Sequence, residues 1–218
     1  MKDCTISTAD ALVFLGHIDD NGIDLLLTDI PYGVCVKPSG LYPIDKGDAN
    51  TETFDLTEFA EEAVRVTKQN SVIFCAREQV GELLSVFNAH GLTTRLIVWE
   101  KTNPYPMNAQ HMFISGIEVA VYFRKRNATF NGHNLNTVFR YPKGTGSQHP
   151  TEKPLGLFKR LVEILTNTGD LVCDPCVGSG TTAVASYELK RGFMGVDINP
   201  IYVELAKKRL NDAHTFLF

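Results

Sequence analysis

The sequence predicts an α/β fold, in which a single domain is built on a mainly parallel sheet with helices on both faces. Two observations lead to this prediction: short apolar runs alternate with helical patterns along the chain, and two polar, proline-containing motifs each follow such a run directly. This alternation is typical of doubly wound sheets, in which functional side chains gather at the carboxyl ends of the strands. With 218 residues, 44% of them apolar, and no polar linker, residues 1–218 can form one core.

Seven short apolar runs have the length of strands and predict a seven-stranded sheet. These runs span residues 3–6, 23–28, 71–76, 95–100, 117–123, 171–174 and 193–197. Three amphipathic stretches predict helices. Their inward residues are Val80, Leu83, Leu84 and Phe87, then Leu157, Phe158, Leu161, Val162 and Leu165 after Pro154, and finally Tyr202, Leu205, Ala206 and Leu210. Asn199 is expected to cap the last helix, and Pro200 to begin it.

The string TDIPYG, at residues 28–33, comes at the end of the second apolar run. An abrupt change from apolar to polar residues is expected where a parallel strand ends at a cleft. Asp29 and a neighbouring backbone carbonyl can accept hydrogen bonds from an amine, and Tyr32 can stack on the ring that carries it. Such acceptors would localise the lone pair of an aromatic amine on its nitrogen. Asp and Pro are also common in plain turns, so this string alone leaves a structural turn as the alternative.

The string LVCDPCVGSGTT, at residues 171–182, predicts a buried strand, a glycine loop and the start of a helix. Gly178, Gly180 and Ala183 satisfy the G-x-G-x-x-G/A pattern of dinucleotide-binding loops. An acid follows Gly178 by 19 positions, at Asp197, where it would meet ribose hydroxyls. Strand, loop, helix and spaced acid together favour a nucleotide-binding site over a loop that only turns the chain.

Two kinds of ligand suit this loop, a nicotinamide dinucleotide and S-adenosylmethionine. Asp174 enters the loop with a negative charge that disfavours a pyrophosphate but suits a ligand with an ammonium and a sulfonium group. Only about forty residues follow the loop, too few for the second half of a dinucleotide-binding fold. These points favour S-adenosylmethionine, with a dehydrogenase as the alternative.

Taken together, the motifs resemble those of bacterial and phage DNA amino-methyltransferases in the permuted order, in which the catalytic motif precedes the cofactor motif. TDIPYG is similar to the family's catalytic tetrapeptide with its flanks, and DPCVGSGTT to its cofactor loop. HPTEKP and GVDINPIYVELAKKRL resemble further cofactor-contacting segments, and STADALVFL resembles the opening segment. WEKTNP and IEVAVYFRK resemble weaker family segments. The chain departs from the pattern at Cys176, where an aromatic residue is commoner, and at Ile30, where proline is.

The resemblance implies a Rossmann-like fold, S-adenosylmethionine as the cofactor, and methyl transfer to the N6 amine of adenine in DNA. Transfer to N4 of cytosine is the alternative, and an inactive cofactor- or DNA-binding module is the non-enzymatic one. The implied catalytic residues are Asp29, Ile30, Pro31 and Tyr32. The implied cofactor-binding residues are Asp10, His149, Thr151, Lys153, Asp174, Pro175, Gly178, Ser179, Gly180, Thr181, Asp197 and Ile198. Lys153 and His149 have simpler alternatives, as a surface charge and a turn histidine.

Basic residues are concentrated in one part of the chain, although its net charge is −4. Residues 124–160 hold eight basic residues and one acid, whereas the remainder holds 13 basic and 24 acidic residues. This polarity predicts one positive face for DNA phosphates, with a solvated loop as the alternative. The candidate DNA contacts are Arg124, Lys125, Arg126, Arg140 and Lys143.

Two irregular stretches are also expected to serve DNA binding. Residues 33–53 form a predicted loop of unusual length that could close over the target base. Residues 127–148 occupy the place of the family's target-recognition insert, and this short length implies a short recognition sequence or help from a second subunit. Double-stranded DNA with a flipped target base is the expected partner, and a homodimer is the alternative to a single chain.

The cysteine content and hydropathy favour a cytoplasmic protein of a bacterial host cell. The five cysteines show no regular spacing, and neither a signal-like N-terminus nor an apolar run long enough for a membrane span is present. Cys173 and Cys176 form a C-x-x-C pair, but no second pair of ligands lies nearby. Buried thiols are therefore favoured over a zinc site, and no metal is expected.

Overall fold

The computed structural model describes residues 4–32, 54–106, 109–144 and 152–215. These residues form eight strands and six helices. The strands are β1 (Cys4–Thr8), β2 (Ile23–Asp29), β3 (Thr67–Cys75), β4 (Thr93–Lys101), β5 (Ile117–Arg124), β6 (Val138–Tyr141), β7 (Leu171–Asp174) and β8 (Gly192–Asp197). The helices are α1 (Ala11–Gly16), α2 (Leu56–Val66), α3 (Val80–Ala89), α4 (Leu155–Leu165), α5 (Thr181–Glu188) and α6 (Pro200–Thr215).

All eight strands belong to one sheet, in the order β1-β8-β7-β2-β3-β5-β4-β6. Only β5 runs antiparallel, and it does so to both of its neighbours. The parallel strands β2, β4, β7 and β8 therefore end at the same edge of the sheet, which we call the carboxyl edge. The antiparallel strand β5 begins at that edge and ends at the opposite one, the amino edge.

The residues of the central strands point alternately to two apolar cores, one on each face of the sheet. Leu25 and Leu27 of β2 belong to a core that includes Leu161 of α4, whereas Leu26 belongs to a second core that includes Phe59 of α2. Such two-sided burial explains why β2 reads as a nearly continuous apolar run. The predicted α/β architecture, with helices on both faces, is confirmed.

The sheet has one strand more than the seven predicted. The additional strand, β6, lies inside the segment 127–148 and pairs in parallel with β4, from Val98 with Val138 to Lys101 with Tyr141. Its four residues at the edge of the sheet alternate between exposed and partly buried and include the charged Arg140, so they do not form a continuous apolar run. Before β6, the backbone N–H of Asn131 donates to the Ile164 carbonyl at 2.7 Å, which ties this part of the segment to α4.

The predicted helices are present, with one difference in the final helix. All five predicted inward residues of α4 are buried, and Leu83 and Phe87 of α3 are buried. In α6 the buried residues are Val203, Ala206 and Leu210, whereas Tyr202 and Leu205 are only partly buried. The inward stripe is thus centred about one position away from the predicted one. No helix in the described part of the chain is both long and apolar enough for a membrane span.

Gly180 precedes α5 at a position where the backbone conformation and the packing both require glycine. Its φ is 84°, and an added Cβ would lie 2.8 Å from Cβ and 2.9 Å from Cα of Ala206. Gly180→Ala should lower the free energy of unfolding by about 2–4 kcal/mol, through left-handed strain and overpacking. Gly81→Ala is the matched control, because nothing lies within 4 Å of its Cβ position in α3. The free energy of unfolding of Gly81→Ala, measured with urea, should exceed that of the parent by up to about 1 kcal/mol. Equal effects of the two substitutions would refute the packing account.

Candidate active site

The strand β2 delivers Asp29 to the carboxyl edge, beside the end of β3. The N–H of Ile30 donates to the Phe74 carbonyl at 3.1 Å, which continues the pairing of these strands by one residue. Ile30 itself is buried in the core, so the chain is anchored immediately after Asp29. The Asp29 side chain remains 26% exposed. An acid therefore projects from a rigid strand end with one side open to solvent.

The Lys153 ammonium group occupies the inner side of Asp29. It donates to Asp29 Oδ2 at 2.6 Å and lies 2.9 Å from Glu118 Oε2 and 3.2 Å from Tyr32 Oη. The Lys153 side chain is only 7% exposed. An ammonium group has three hydrogens, and three acceptors surround this one. The Lys153 charge is thus fully committed within the protein.

Lys101 and a hydrogen bond from Tyr32 complete a charge network around Asp29. Glu118 Oε1 lies 2.9 Å from the ammonium nitrogen of Lys101, and the Tyr32 hydroxyl donates to Asp29 Oδ1 at 2.9 Å. The two carboxylates and two ammonium groups balance each other in charge. Because unpaired charges are costly to bury, each of the four depends on its neighbours.

The network changes the ionisation of its members. Burial lowers the pKa of Lys153, but the carboxylates of Asp29 and Glu118 outweigh burial and hold that pKa above its usual range. Burial raises the pKa of Asp29, and Lys153 offsets only part of the rise. For Glu118 burial is again the largest influence, yet Lys153 and Lys101 together lower its pKa. Burial is thus the stronger influence on the pKa of Asp29, whereas the two ammonium groups together are the stronger influence on that of Glu118.

Gln79 fixes the backbone of the predicted catalytic motif. Its Nε2 donates to the Pro31 carbonyl at 2.9 Å, and its Oε1 accepts from the Ala76 N–H at 2.8 Å. Gln79 thus connects the segment after β2 to the segment after β3. A carbonyl oxygen has two lone pairs, so Pro31 retains one acceptor position.

The Asp174 side chain holds the start of the glycine loop in place through three hydrogen bonds. Its carboxylate accepts from the hydroxyls of Thr28 at 2.7 Å and Thr182 at 2.6 Å, and from the Cys176 N–H at 3.0 Å. Asp174 is only 3% exposed, and burial raises its pKa to about 6 although these three donors oppose the rise. The structure therefore gives Asp174 a direct role in joining β2, β7 and α5, and Pro175 beside it is also buried.

Asp197, at the end of β8, holds the middle of the same loop. One carboxylate oxygen accepts from the Gly178 N–H at 2.8 Å and the other from the Asn199 N–H at 2.9 Å. Asp197 itself is partly exposed at the end of β8. Ile198 beside it is 52% exposed.

The glycine loop and the Lys153 segment are tied to each other. The Thr181 hydroxyl lies 3.5 Å from the Lys153 carbonyl. The Arg209 guanidinium donates to the Ser179 carbonyl at 2.7 Å and to Glu152 at 2.7 Å. Ser179 and Thr181 are both buried, so they support the loop from inside.

Asp10 lies at the same edge as Asp197, after the first strand. Its carboxylate caps α1 and accepts from the N–H groups of Leu12 at 2.9 Å and Val13 at 3.1 Å. The Ala9 N–H donates to the Asp197 carbonyl at 3.2 Å, which brings the two segments together. Asp10 is exposed and can still accept from a ligand.

The acceptor-rich edge fits the ligand predicted from the sequence. Gly178 has a φ of 50°, and an added Cβ would meet no atom nearer than the Cys176 carbonyl at 4.0 Å. A ligand can therefore approach the loop backbone closely at Gly178. Acceptors at this edge suit ammonium, sulfonium and ribose hydroxyl groups, whereas they would repel a pyrophosphate.

The structure brings most of the predicted site residues together and adds three that the sequence did not reveal. His149, Thr151 and the segment 33–53 lie outside the described residues. Lys153, predicted near the cofactor, instead pairs with Asp29. The additional residues are Glu118, Lys101 and Gln79. Glu118 and Lys101 lie in the strings IEVAVYFRK and WEKTNP, and only the pairing of β4 with β5 shows that they face Asp29.

The structure divides the predicted basic residues between two edges of the sheet. Arg124 pairs with Asn70 near the start of β3, at the amino edge, and Lys125 donates to Asn21 at 2.8 Å there. Arg140 pairs with Glu100 near the end of β4, so Arg140 and the nearby Lys143 belong to the carboxyl edge. Arg126 follows Lys125 at the amino edge. The reversed direction of β5 separates the two groups, and charge patterning does not reveal strand direction.

The cysteines of the C-x-x-C pair occupy different environments. Cys173 is buried within β7, and Cys176 is partly buried in the loop. Burial raises the pKa of both thiols well above its usual value. Within the described ranges, no three His, Cys, Asp or Glu side chains are grouped to hold a metal ion.

Comparisons with known proteins agree with this geometry. A family model described as DNA methylase (N6_N4_Mtase) matches residues 23–208. The Type II methyltransferase M2.MboI of Moraxella bovis is 29% identical over 244 residues, which cover 97% of this chain and 89% of that protein. The structure of an M1.HpyAVI–SAM complex is similar with a TM-score of 0.74 and 28% identity, covering 97% of this chain and 100% of that one. PvuII DNA methyltransferase, described as cytosine-N4-specific, shares the fold, with a TM-score of 0.73, 13% identity and coverage of 99% and 92%.

The raised pKa of Asp174 predicts a pH dependence of stability that Asp174→Asn should remove. With a pKa of about 6, the folded carboxyl keeps its proton at pH values where the unfolded chain has lost it. This group therefore makes the parent protein less stable as the pH rises from about 4 to about 6, by at most about 3 kcal/mol. The free energy of unfolding of both proteins can be measured with urea at about pH 5 and about pH 7. From the lower to the higher pH, the value for the variant should increase relative to that of the parent by about 1 kcal/mol or more. If the difference in unfolding free energy between variant and parent were the same at both pH values, the raised pKa of Asp174 would be contradicted.

Proposed function

This chain belongs to the N6/N4 family of DNA methylases, and we propose that it transfers a methyl group from S-adenosylmethionine to the N6 amine of adenine in double-stranded DNA. The observation that supports the proposal most is the position of Asp29. Its carboxylate is part of a strand end, is paired on its inner side with Lys153, and is open on its outer side next to the glycine loop. A base amine and a methyl donor can meet there.

Asp29 activates the target amine by accepting its hydrogen bonds. S-adenosylmethionine, when bound, supplies an electrophilic methyl group on a sulfonium. The amine of a free base is a weak nucleophile, because its lone pair is delocalised into the ring. Asp29 and the Pro31 carbonyl accept the two amine hydrogens, which localises the lone pair on nitrogen. Because Gln79 holds the Pro31 carbonyl at 2.9 Å, this second acceptor is fixed before the base arrives.

Tyr32 and Lys153 prepare Asp29 for that contact. The Tyr32 ring stacks on the base, which orients the amine toward the methyl donor. Lys153 engages one carboxylate oxygen and the Tyr32 hydroxyl the other, and each oxygen keeps a second lone pair for the base amine. After transfer the methylated amine carries an extra proton. Asp29 is the nearest base to accept it, and its raised pKa favours that step.

The carboxyl edge also supplies the binding site for the methyl donor. Asp197 accepts hydrogen bonds from the ribose hydroxyls, Asp10 faces the adenine, and Gly178 allows close approach to the loop backbone. Asp174 and Thr181 act by holding the loop rather than by open contact, because both are buried. The contributions of His149 and Thr151 remain predictions from the resemblance.

Among the described residues, few hydrogen-bond donors are available near Asp29, which favours adenine over cytosine. Cytosine presents a ring acceptor and a carbonyl in addition to its amine, so its recognition gains from extra donors. The Lys153 ammonium is the nearest charged donor, and its hydrogens already face Asp29, Glu118 and Tyr32. Asp at the first position of the catalytic motif is also commoner in the family's adenine enzymes. Transfer to cytosine N4 remains the second candidate, and PvuII DNA methyltransferase shares the fold.

The substrate is proposed to be duplex DNA in the cytoplasm of a bacterial cell, with the target base flipped out. The amine of a stacked and paired base cannot reach Asp29, so it has to leave the helix. Arg140 and Lys143 are the predicted basic residues on the correct edge to hold the phosphates. Arg124, Lys125 and Arg126 are too far along β5 to share that role. A homodimer, and closure of residues 33–53 over the base, belong to the same proposal.

Analysis of the methylated product tests this function. The parent protein should produce N6-methyladenine in unmodified DNA, as measured by mass spectrometry of its nucleosides. Asp29→Ala should reduce the yield by about a hundredfold or more while leaving the affinity for S-adenosylmethionine within about threefold, because the lost bonds act on the target amine. Asp212→Ala, an exposed acid on α6, is the matched control and should behave like the parent.

Two results would count against the proposal in different ways. Methyl groups only on cytosine N4 would overturn the adenine assignment and leave the role of Asp29 intact. Turnover by Asp29→Ala within about threefold of the parent would overturn the catalytic assignment itself. No transfer by the parent protein would favour the inactive binding module.

A further inference from the structure

The connection between β4 and β5 exposes several large apolar side chains at the carboxyl edge. We call residues 102–116 the β4–β5 loop; the structure describes all of them except 107 and 108. Phe113 is 99% exposed, Tyr105 72% and Met112 64%, and Ile114 nearby is 40% exposed. Isolated apolar residues are ordinary on protein surfaces, but a group of this size within one loop indicates a contact with another molecule.

The base of this loop is held within the catalytic network. The Lys101 N–H donates to the Gly116 carbonyl at 2.8 Å and closes the neck of the loop. Directly beside the neck, Lys101 and Glu118 form the outer ion pair of the network around Asp29, at 2.9 Å. The apolar group therefore projects from the two strands whose side chains support the catalytic acid.

The first part of the loop is attached to the basic end of β6. The Thr102 N–H donates to the Tyr141 carbonyl at 3.2 Å, and Asn103 forms hydrogen bonds with the backbone N–H and carbonyl of Lys143. Arg140 and Lys143 are both exposed here, and the Arg140 guanidinium also pairs with Glu100 at 3.0 Å. Apolar side chains thus lie next to cations on the same edge. This combination suits a polyanion with an apolar interior, which is what duplex DNA offers once a base pair has opened.

We infer that Phe113, supported by Met112, is a wedge that enters the DNA duplex and fills the gap left by the flipped base. The inference rests on the function proposed above. Proteins that open or kink DNA insert Phe, Leu, Ile or Met side chains between base pairs. Filling the gap in the stack in this way lowers the free-energy cost of flipping the base out. Arg140 and Lys143 hold the flanking phosphates while the amine reaches Asp29.

The test compares a normal target with one in which the base is already free to leave the helix. The parent protein first identifies its site by sequencing of the methylated product. Two oligonucleotide duplexes are then prepared, one fully paired and one with an abasic position opposite the target base. On the paired duplex, Phe113→Ala should lower the single-turnover rate by about tenfold or more, and on the abasic duplex it should stay within about threefold of the parent. Phe113→Leu, which keeps an apolar wedge, should recover most of the loss.

Phe130→Ala is the matched control, because Phe130 is an aromatic residue that is 44% exposed but follows the amino-edge end of β5. It should resemble the parent on both duplexes. Affinity for S-adenosylmethionine, measured by calorimetry, should be unchanged in every variant and shows that they are folded. Fluorescence of 2-aminopurine at the target position should rise on binding of the parent and less so with Phe113→Ala.

Three outcomes would overturn the wedge. Equal losses by Phe113→Ala on the two duplexes would mean that the residue acts in some other step. Full activity of that variant on the paired duplex would mean that the loop is dispensable. A dimer of the parent that becomes monomeric in Phe113→Ala, by sedimentation, would identify the apolar group as a subunit interface. A parent protein that methylates neither duplex would instead count against the proposed function, since the wedge comparison requires parental activity.

Discussion

The ion pair between Lys153 and Asp29 is the interaction on which the rest of the site depends. Its partners are 124 positions apart in the chain and 2.6 Å apart in the fold. A buried pair of this kind adds little stability by itself, because desolvation offsets the attraction, but loss of either partner leaves an unpaired charge. The order of the strands, the direction of β5 and the link from Thr181 to the Lys153 backbone all serve to bring these two groups together. They also place Glu118 and Lys101 where they balance the remaining charge.

The pair connects the two halves of the chemistry. In the proposed function, Asp29 belongs to the segment that holds the target amine. Lys153 belongs to a segment attached to the glycine loop through Thr181 and, via Glu152, Arg209. The glycine loop and Asp29 are therefore joined by one connected set of hydrogen bonds and ion pairs. Lys153 also opposes the effect of burial on the pKa of Asp29, which favours the ionised acid that can accept hydrogen bonds from an amine. Binding of the methyl donor and activation of the amine are thus supported by one connected framework.

Much of this arrangement could be predicted from the sequence, and the failures have physical causes. The motif residues Asp29, Gly178 and Asp197 follow apolar runs, so parallel strands bring them to one edge. The roles of Lys153 and Glu118 could not be predicted in the same way, because they depend on which strands are neighbours and on the reversal of β5. That same reversal moved Arg124 to the opposite edge. The strand β6 was missed because a short, half-exposed edge strand has almost no sequence pattern of its own.

The pH profile of Lys153→Met is the most direct test of the central role given to this ion pair. Without the ammonium, only the hydrogen bond from Tyr32 still opposes the effect of burial on Asp29, so the pKa of Asp29 should rise and the acidic limb of the single-turnover methylation rate should move upward by about one pH unit or more. Lys159→Met, which removes an ammonium paired with Glu188 at 2.6 Å, is the matched control and should leave the limb in place. Calorimetry with S-adenosylmethionine reports whether each variant is folded. A Lys153→Met profile that coincides with the parent's after scaling would contradict the account.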